Sequence, residues 1–458
     1  MSHIEQPLPF AAAAPSADIG TIYRKVIWRL MPFLLLAFLL NAIDRSNISF
    51  AKLRMAQDIA LSDAAYGLGA GVFYIGYILF ELPSNLYLQR VGARATIARI
   101  MVLWGLATVA TAFVTTANQF IVARFFLGIA EAGFFGGAIL YLTYWFPSAL
   151  RGRITAVFMM AVIVAGMLSG PLAGWIMTNF HGWMGLRDWQ ALFVLEGIPA
   201  ILLGVLGWFW LSDKPAQAAW LSSAEKQAIA AALALENPHS QTHGGLGEAL
   251  RNPRVYAAGL VFFCFYCGLT TLTYWLPTLI RGLGLEDLKT IGLLNSLPYV
   301  MALFGMYLLG RSSDRRQERR WHVGLTMLFS AVCFAMIGFA QGNVPLSILV
   351  ISLANAACLS AGAVFWTIPP ALLTPTSAAV GIAIISSSGH LAAALSQGVV
   401  GAIKTATGSL YLAFDVIAVV MVFGALVLLI GIPAHALAER RAVGQSPTNE
   451  PLAALKKQ

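Results

Sequence analysis

The sequence predicts an all-α membrane protein: twelve transmembrane helices in two pseudo-symmetric six-helix bundles. Three observations carry this. Of the 458 residues 59% are hydrophobic and only 11% charged, against roughly 25% charged in a soluble domain; that much apolar surface does not fit one water-soluble core. Apolar runs long enough to cross a bilayer, about 20 residues each, recur twelve times. One long polar stretch, Ser212 to Pro253, divides them six and six.

The first six spans lie near 26–48, 64–88, 96–115, 118–143, 153–178 and 189–211, the second six near 255–280, 290–311, 321–340, 346–372, 378–402 and 409–434. Pro83, Pro171, Pro199, Pro298 and the Pro369–Pro370 pair fall inside spans, where neighbouring helices re-satisfy the freed backbone groups. The chain then divides into a tail (1–22), an N-terminal bundle (23–212), a linker (213–253), a C-terminal bundle (254–436) and a second tail (437–458). Within the linker, Ser222 and Glu225 have capping-box spacing ahead of an Ala/Leu run, which predicts one surface helix. Gly244–Gly245 reads as flexible linker. Cys264, Cys267, Cys333 and Cys358 all fall in apolar runs without further ligands and read as buried structural thiols.

Basic residues orient the chain. With the N-terminus inside, 21 of the 29 Lys and Arg fall in cytoplasmic segments and six in external ones; Arg45 and Arg124 remain inside spans. Such a bias predicts cytoplasmic termini and a multi-pass plasma (inner) membrane protein. The net charge of +9 is therefore a membrane-anchoring feature rather than a sign of nucleic acid. The first apolar run starts too late, and is too long, for a signal peptide.

The stretch from Asn41 to Asn47 carries Asp44 beside Arg45 near the end of the first span. A charge at a helix centre costs about 2.5–3.5 kcal/mol to insert, so such residues are functional by default. At about 1.5 Å per residue, Asp44, Arg45 and Arg124 come to similar depth in the outer half, with Glu131 nearer the middle. Arg124 and Glu131, seven apart, share a helical face, and Gly128 between them is expected to leave that face open. Two acids and two bases within reach can neutralise one another in pairs. A guanidinium is suited to a substrate carboxylate, and an acid whose pKa the site can move is suited to a coupling proton. The alternative is a set of static salt bridges holding the bundle together.

The two halves repeat. Asn85 to Arg94 after the second span, and Gly310 to Arg320 after the eighth, are both short basic turns, as in duplicated six-span transporters. These loops resemble the glycine–acid–Arg–Gly–Arg signature of the major facilitator superfamily, with the acid present at Asp314 and replaced by Gln89. Leu82–Asn85 with Val91–Arg94, Arg124 to Gly133, Tyr144–Pro147 and Leu195 to Pro199 resemble more narrowly the anion:cation symporter family, in its branch of tartrate, 4-hydroxyphenylacetate, phthalate and nicotinate carriers. The resemblance runs from about Tyr23 to Pro433.

The resemblance implies proton-coupled uptake of an organic carboxylate by alternating access. The proton gradient drives it without a cofactor, and the partners are a small organic anion, protons and lipid, in a monomer that takes no nucleic acid. It implies Asp44 and Glu131 as proton carriers and Arg45 and Arg124 as anion-binding and switching bases. Tyr77 matches a substrate-contacting position, though packing explains a Tyr there equally well. The branch usually has Asn where this chain has His390, and a Gly-rich segment ending in Pro where it has Leu391 to Gln397. His390 and Gln397, on one face, are candidate substrate ligands, with a packing role for His390 as the alternative. Glu196, beside Gly197 and Pro199, reads as structural. Arg90, Arg94, Asp314 and Arg315 read as cytoplasmic gate contacts or as plain anchoring charges.

Other functions fit less well. An organophosphate exchanger calls for a basic residue from each half, and Tyr256 to Leu279 contains none. A cation exporter would not need Arg45 and Arg124. A receptor or sensor calls for an appended domain, and an enzyme for a nucleophile–base pair or a metal cluster.

Overall fold

The computed structural model describes residues 19–235, 245–373 and 377–432. Most of both predicted tails, and Gly244, lie outside these residues. The N-terminal bundle holds α1 (Ile19–Asp58), α2 (Asp63–Val91), α3 (Ala93–Thr111), α4 (Ala117–Glu131) with α5 (Phe134–Trp145), α6 (Ser148–Asn179) and α7 (Asp188–Trp210). The linker holds α8 (Ser223–Ala234) and α9 (Gly245–Arg251). The C-terminal bundle holds α10 (Pro253–Gly282), α11 (Leu288–Arg316), α12 (Arg320–Met336), α13 (Val344–Phe365) with α14 (Pro369–Leu372), α15 (Ala378–Thr407) and α16 (Tyr411–Gly431). Eleven of the spans are long and apolar enough to cross a membrane, and the 17-residue α12 fills the ninth position.

Several elements depart from the sequence expectation. The fourth span is broken: α4 stops at Glu131, and Gly133, with φ of 87°, starts α5. A side chain there would be strained in the left-handed region and would collide with Ser84. The tenth span breaks before Pro369, whose ring cannot continue the hydrogen-bond ladder. Gly245 is not flexible linker but opens α9, held by buried Ala249 and by the Tyr256 hydroxyl, which donates to the Leu250 carbonyl at 2.8 Å. The capping box does form: Ser222 Oγ accepts from the Glu225 amide at 3.2 Å, and Glu225 accepts from the Ser222 amide at 2.7 Å. Lys25 on α1 pairs with Glu225 at 2.9 Å and fastens α8 to the N-terminal bundle. All four cysteines are buried and unpaired.

Successive spans alternate in direction, so the bilayer faces can be named from α1: the near side holds Ile19, the far side Asp58. The bundles meet where α2 crosses α15, α6 crosses α11 and α1 crosses α10. At the α2–α15 crossing a Cβ on Gly67 would lie 2.2 Å from the Gln397 carbonyl oxygen, and one on Gly71 2.3 Å from that of Ala394; only glycine lets the two backbones approach so closely.

The far side is also latched by charge. Asp63 Oδ1 forms ion pairs with Lys52 Nζ at 2.6 Å and, from the other bundle, with Lys404 Nζ at 3.2 Å. Lys52 Nζ sits 3.8 Å from the centre of the Trp275 ring, a cation–π contact strengthened by burial. The Ala64 amide donates to Thr405 Oγ1 at 2.8 Å, the Tyr66 hydroxyl to the Tyr274 carbonyl at 2.7 Å, and the Arg281 guanidinium to the Leu53 carbonyl. One carboxylate thus holds two ammonium groups from opposite bundles. Asp63→Asn leaves the lysines facing each other without their counter-charge and should open the far side more often. In a Ser396→Cys background, whose position is buried, an impermeant thiol reagent should then label several-fold faster; an unchanged rate would show that the latch does not hold the bundles together.

Candidate functional site

The four charges predicted from the sequence lie inside the N-terminal bundle, and the helix geometry sorts them. Asp44, Arg124 and Glu131 are almost wholly buried, while the Arg45 side chain retains 19% exposure. Arg45 Nε donates to Glu131 Oε2 at 2.8 Å, and Asn41 Nδ2, one turn earlier on α1, donates to the same oxygen at 2.8 Å. Glu131 is the last residue of α4, so the break at Ala132–Gly133 ends the helix beside this carboxylate.

Asp44 makes no ion pair with Arg45. Consecutive helical residues diverge by about 100°, and Asp44 turns toward α3, accepting from Thr108 Oγ1 at 2.8 Å and from Asn47 Nδ2 at 3.2 Å. Arg124 has no protein hydrogen-bond partner on any of its three guanidinium nitrogens. Two mutual pairs were expected; a single direct Arg–carboxylate pair is present among the described residues of this cluster. Arg124 is held instead by an aromatic face: its guanidinium carbon lies 4.8 Å from the Phe73 ring centre, and that of Arg45 lies 5.5 Å from the same ring. The space expected beside Gly128 is not open either. The α2 backbone fills it, and a Cβ on Gly128 would come 2.0 Å from the Phe73 carbonyl oxygen.

Glu131 Oε1, Asp44 Oδ2 and Arg45 Nη2 likewise make no hydrogen bond to a protein group. The direct protein contacts of this cluster are therefore the Arg45–Glu131 pair, with Asn41 on the same oxygen, and the Thr108 and Asn47 hydrogen bonds to Asp44. The chemistry it offers is exchange of partners on Arg45.

Tyr77 lies one α2 turn beyond Phe73 with its ring 5.0 Å from the Arg45 guanidinium, and the His390 ring packs against Tyr77 at 4.9 Å. Both therefore join the Arg45 site, His390 from the opposite bundle. Gln397 does not: it is fully buried on the far-side crossing, where its carbonyl accepts from Trp275 Nε1 at 3.0 Å and its amide donates to Thr270 at 3.2 Å and Ser396 at 3.0 Å. A seven-residue spacing puts Gln397 two turns from His390 on the same face, which is far enough to move it from the site to the seal.

Of the four gate candidates, Arg94 and Asp314 make local contacts. The Arg94 backbone amide donates to Asp213 at 2.8 Å, and its guanidinium lies 5.5 Å from the Trp208 ring. Asp314, in the last turn of α11, pairs with Arg319 at 2.6 Å, Arg315 lines a shallow recess with Arg311 and Arg316, and Arg90 is exposed at the end of α2. Glu196 is buried close to Asn47 and Asp44.

Sequence reasoning missed Glu81, on the site one turn beyond Tyr77, and the trio Lys52, Asp63 and Lys404. Glu81 had a signal: it is the lone acid of an apolar span, four residues from Tyr77. The trio had none, because each member reads as a loop charge.

Residues 34–397 match the Major Facilitator Superfamily. A Pseudomonas putida protein named as metabolite transport protein NicT is 41% identical over 420 residues, covering 91% of this chain and 96% of that protein. An Agrobacterium vitis protein named as a tartrate transporter is 39% identical over 419 residues, again 91% and 96%. Among solved structures, the partially occluded inward-open xylose transporter XylE from E. coli aligns with a TM-score of 0.73 at 17% identity, covering 89% of this chain and 98% of XylE. These relatives are named as transporters rather than enzymes, and they are consistent with the anion:cation symporter resemblance. The chain belongs to the Major Facilitator Superfamily and is a multi-pass membrane transporter of that family.

Proposed function

We propose that the protein takes up an organic carboxylate together with protons, by alternating access between its two bundles. The observation that carries this reading is the Arg45–Glu131 pair at 2.8 Å, whose Arg is partly reachable while its Glu is sealed. A substrate carboxylate that engages the Arg45 fork competes directly with Glu131. Losing that partner leaves a buried carboxylate without its ion-pair cation, and in the proposed cycle a proton takes that cation's place. Substrate binding and proton uptake are thereby linked through one guanidinium. Arg124, behind Phe73, adds fixed positive potential that attracts the anion and holds the site together when Arg45 changes partner. Asp44, hydrogen-bonded to Thr108 and Asn47, is the second proton carrier.

Release requires the bundles to rock. The near side, richest in Lys and Arg, is the cytoplasmic one in this reading, and the far-side latch of Asp63 with Lys52 and Lys404 is the outer gate. Arg90, Arg94, Asp314 and Arg315 sit where an inner gate would close when the outer one opens.

Two outcomes test the reading. Glu131→Gln should abolish proton-driven accumulation in vesicles while leaving carboxylate exchange; unchanged uphill uptake would remove Glu131 from coupling. Arg45→Lys keeps the charge but loses the planar fork, so carboxylate affinity, measured by calorimetry on the purified protein, should fall at least about tenfold. Wild-type affinity in that variant would reject Arg45 as the carboxylate clamp.

A further inference from the structure

The carboxylate reading leaves one pair of site residues unused. Glu81 comes from α2 and His390 from α15, so they face each other across the two bundles. His390 Nδ1 lies 3.7 Å from Glu81 Oε2, within electrostatic reach but beyond a hydrogen bond, and that nitrogen is buried without a hydrogen-bond partner. Tyr77 spans the distance to the anion clamp: its ring is 5.0 Å from the Arg45 guanidinium and 4.9 Å from the His390 ring. The Arg45 guanidinium and the His390 ring thus stand no farther apart than the sum of those contacts, a gap that one ring with substituents at opposite ends can bridge through its hydrogen bonds. Tyr74 stacks on His390 at 6.2 Å, and its hydroxyl accepts from Tyr274 at 3.1 Å, which fixes a flat aromatic wall beside the pair.

Charge across the site is one-sided. Arg45 is the reachable guanidinium, since Arg124 is fully buried behind Phe73. The facing stretches 255–280, 290–310, 344–365 and 378–403 contain no Lys or Arg. A second carboxylate at the far end of a ligand would meet Glu81 with no cation to offset it, and a like charge at that distance is a rejecting element. An uncharged hydroxyl there can donate to the Glu81 carboxylate and accept from an N–H of the His390 ring.

Building on the carboxylate reading, we propose that Glu81 and His390 form a second recognition pole that selects monocarboxylates bearing an uncharged hydrogen-bonding group opposite the carboxylate, and rejects dicarboxylates. The pole draws one residue from each bundle, so a ligand that fills it ties the two halves together at the level of the Arg45 clamp.

The test is calorimetry on the purified full-length protein with four probes: benzoate, 4-hydroxybenzoate, terephthalate and tartrate. The wild type should bind 4-hydroxybenzoate at least about tenfold more tightly than benzoate, and both dicarboxylates more weakly than benzoate. Glu81→Gln should raise terephthalate affinity relative to benzoate about tenfold, and His390→Ala should erase the preference for 4-hydroxybenzoate over benzoate. Each comparison is a ratio within one preparation, so partial misfolding of a variant does not mimic it. Equal or tighter binding of the dicarboxylates by the wild type, or an unchanged terephthalate-to-benzoate ratio in Glu81→Gln, overturns the second pole and leaves the carboxylate reading standing. Binding of none of the four overturns both.

Discussion

A buried carboxylate held by a single partly reachable guanidinium is the constraint around which this molecule is arranged. Glu131 ends a helix and is sealed from solvent, so its charge is tolerable only while Arg45 and Asn41 hold it. Breaking a buried pair by removing one partner typically costs about 3–5 kcal/mol, comparable to much of a domain's net stability. A ligand that takes Arg45 away must therefore be repaid, either by another cation or by a proton. The rest of the N-terminal bundle limits the choice: the other guanidinium, Arg124, is stacked on Phe73 and makes no hydrogen bond to Glu131. In the proposed cycle the proton is the remaining route.

The same economy of space governs the contact between bundles. Glycines at 67 and 71 bring the backbones of α2 and α15 into direct contact on the far side, and Asp63 with Lys52 and Lys404 closes the charge pattern above them. The two locks differ in kind. Glycine contacts are geometric and survive changes in charge, whereas the ion trio depends on its single acid. Such an arrangement suits a joint that must part and re-form without repacking a core. At the level of the clamp, Tyr77 beside Arg45 meets His390 of the other bundle.

Much of this was legible in the sequence. Apolar runs gave the spans because a bilayer admits few alternatives, and the rarity of charge made Asp44, Arg45, Arg124 and Glu131 conspicuous. Direction was not legible. Asp44 and Arg45 are neighbours in the chain yet serve different helices, because one residue is about 100° of turn. Arg124 was expected to find an acid and found a phenyl ring instead, since Gly128 draws α2 so close that Phe73 intervenes. Gln397 shares a face with His390 but sits in the far-side seal, bonded to Trp275, Thr270 and Ser396. Partner choice across helices depends on which backbones approach, and a single sequence carries only faint traces of that. The break after Glu131 left one trace, a glycine at 133, indistinguishable from the many other glycines in the spans.

Proton exchange on ligand binding tests the central claim most directly. Purified protein in weakly buffered solution, mixed with a bound carboxylate while pH is followed, should take up protons in proportion to the ligand bound, and Glu131→Gln should bind the same ligand with less uptake. Binding by the wild type that moves no protons, or undiminished uptake in Glu131→Gln, would contradict the exchange of partners on Arg45.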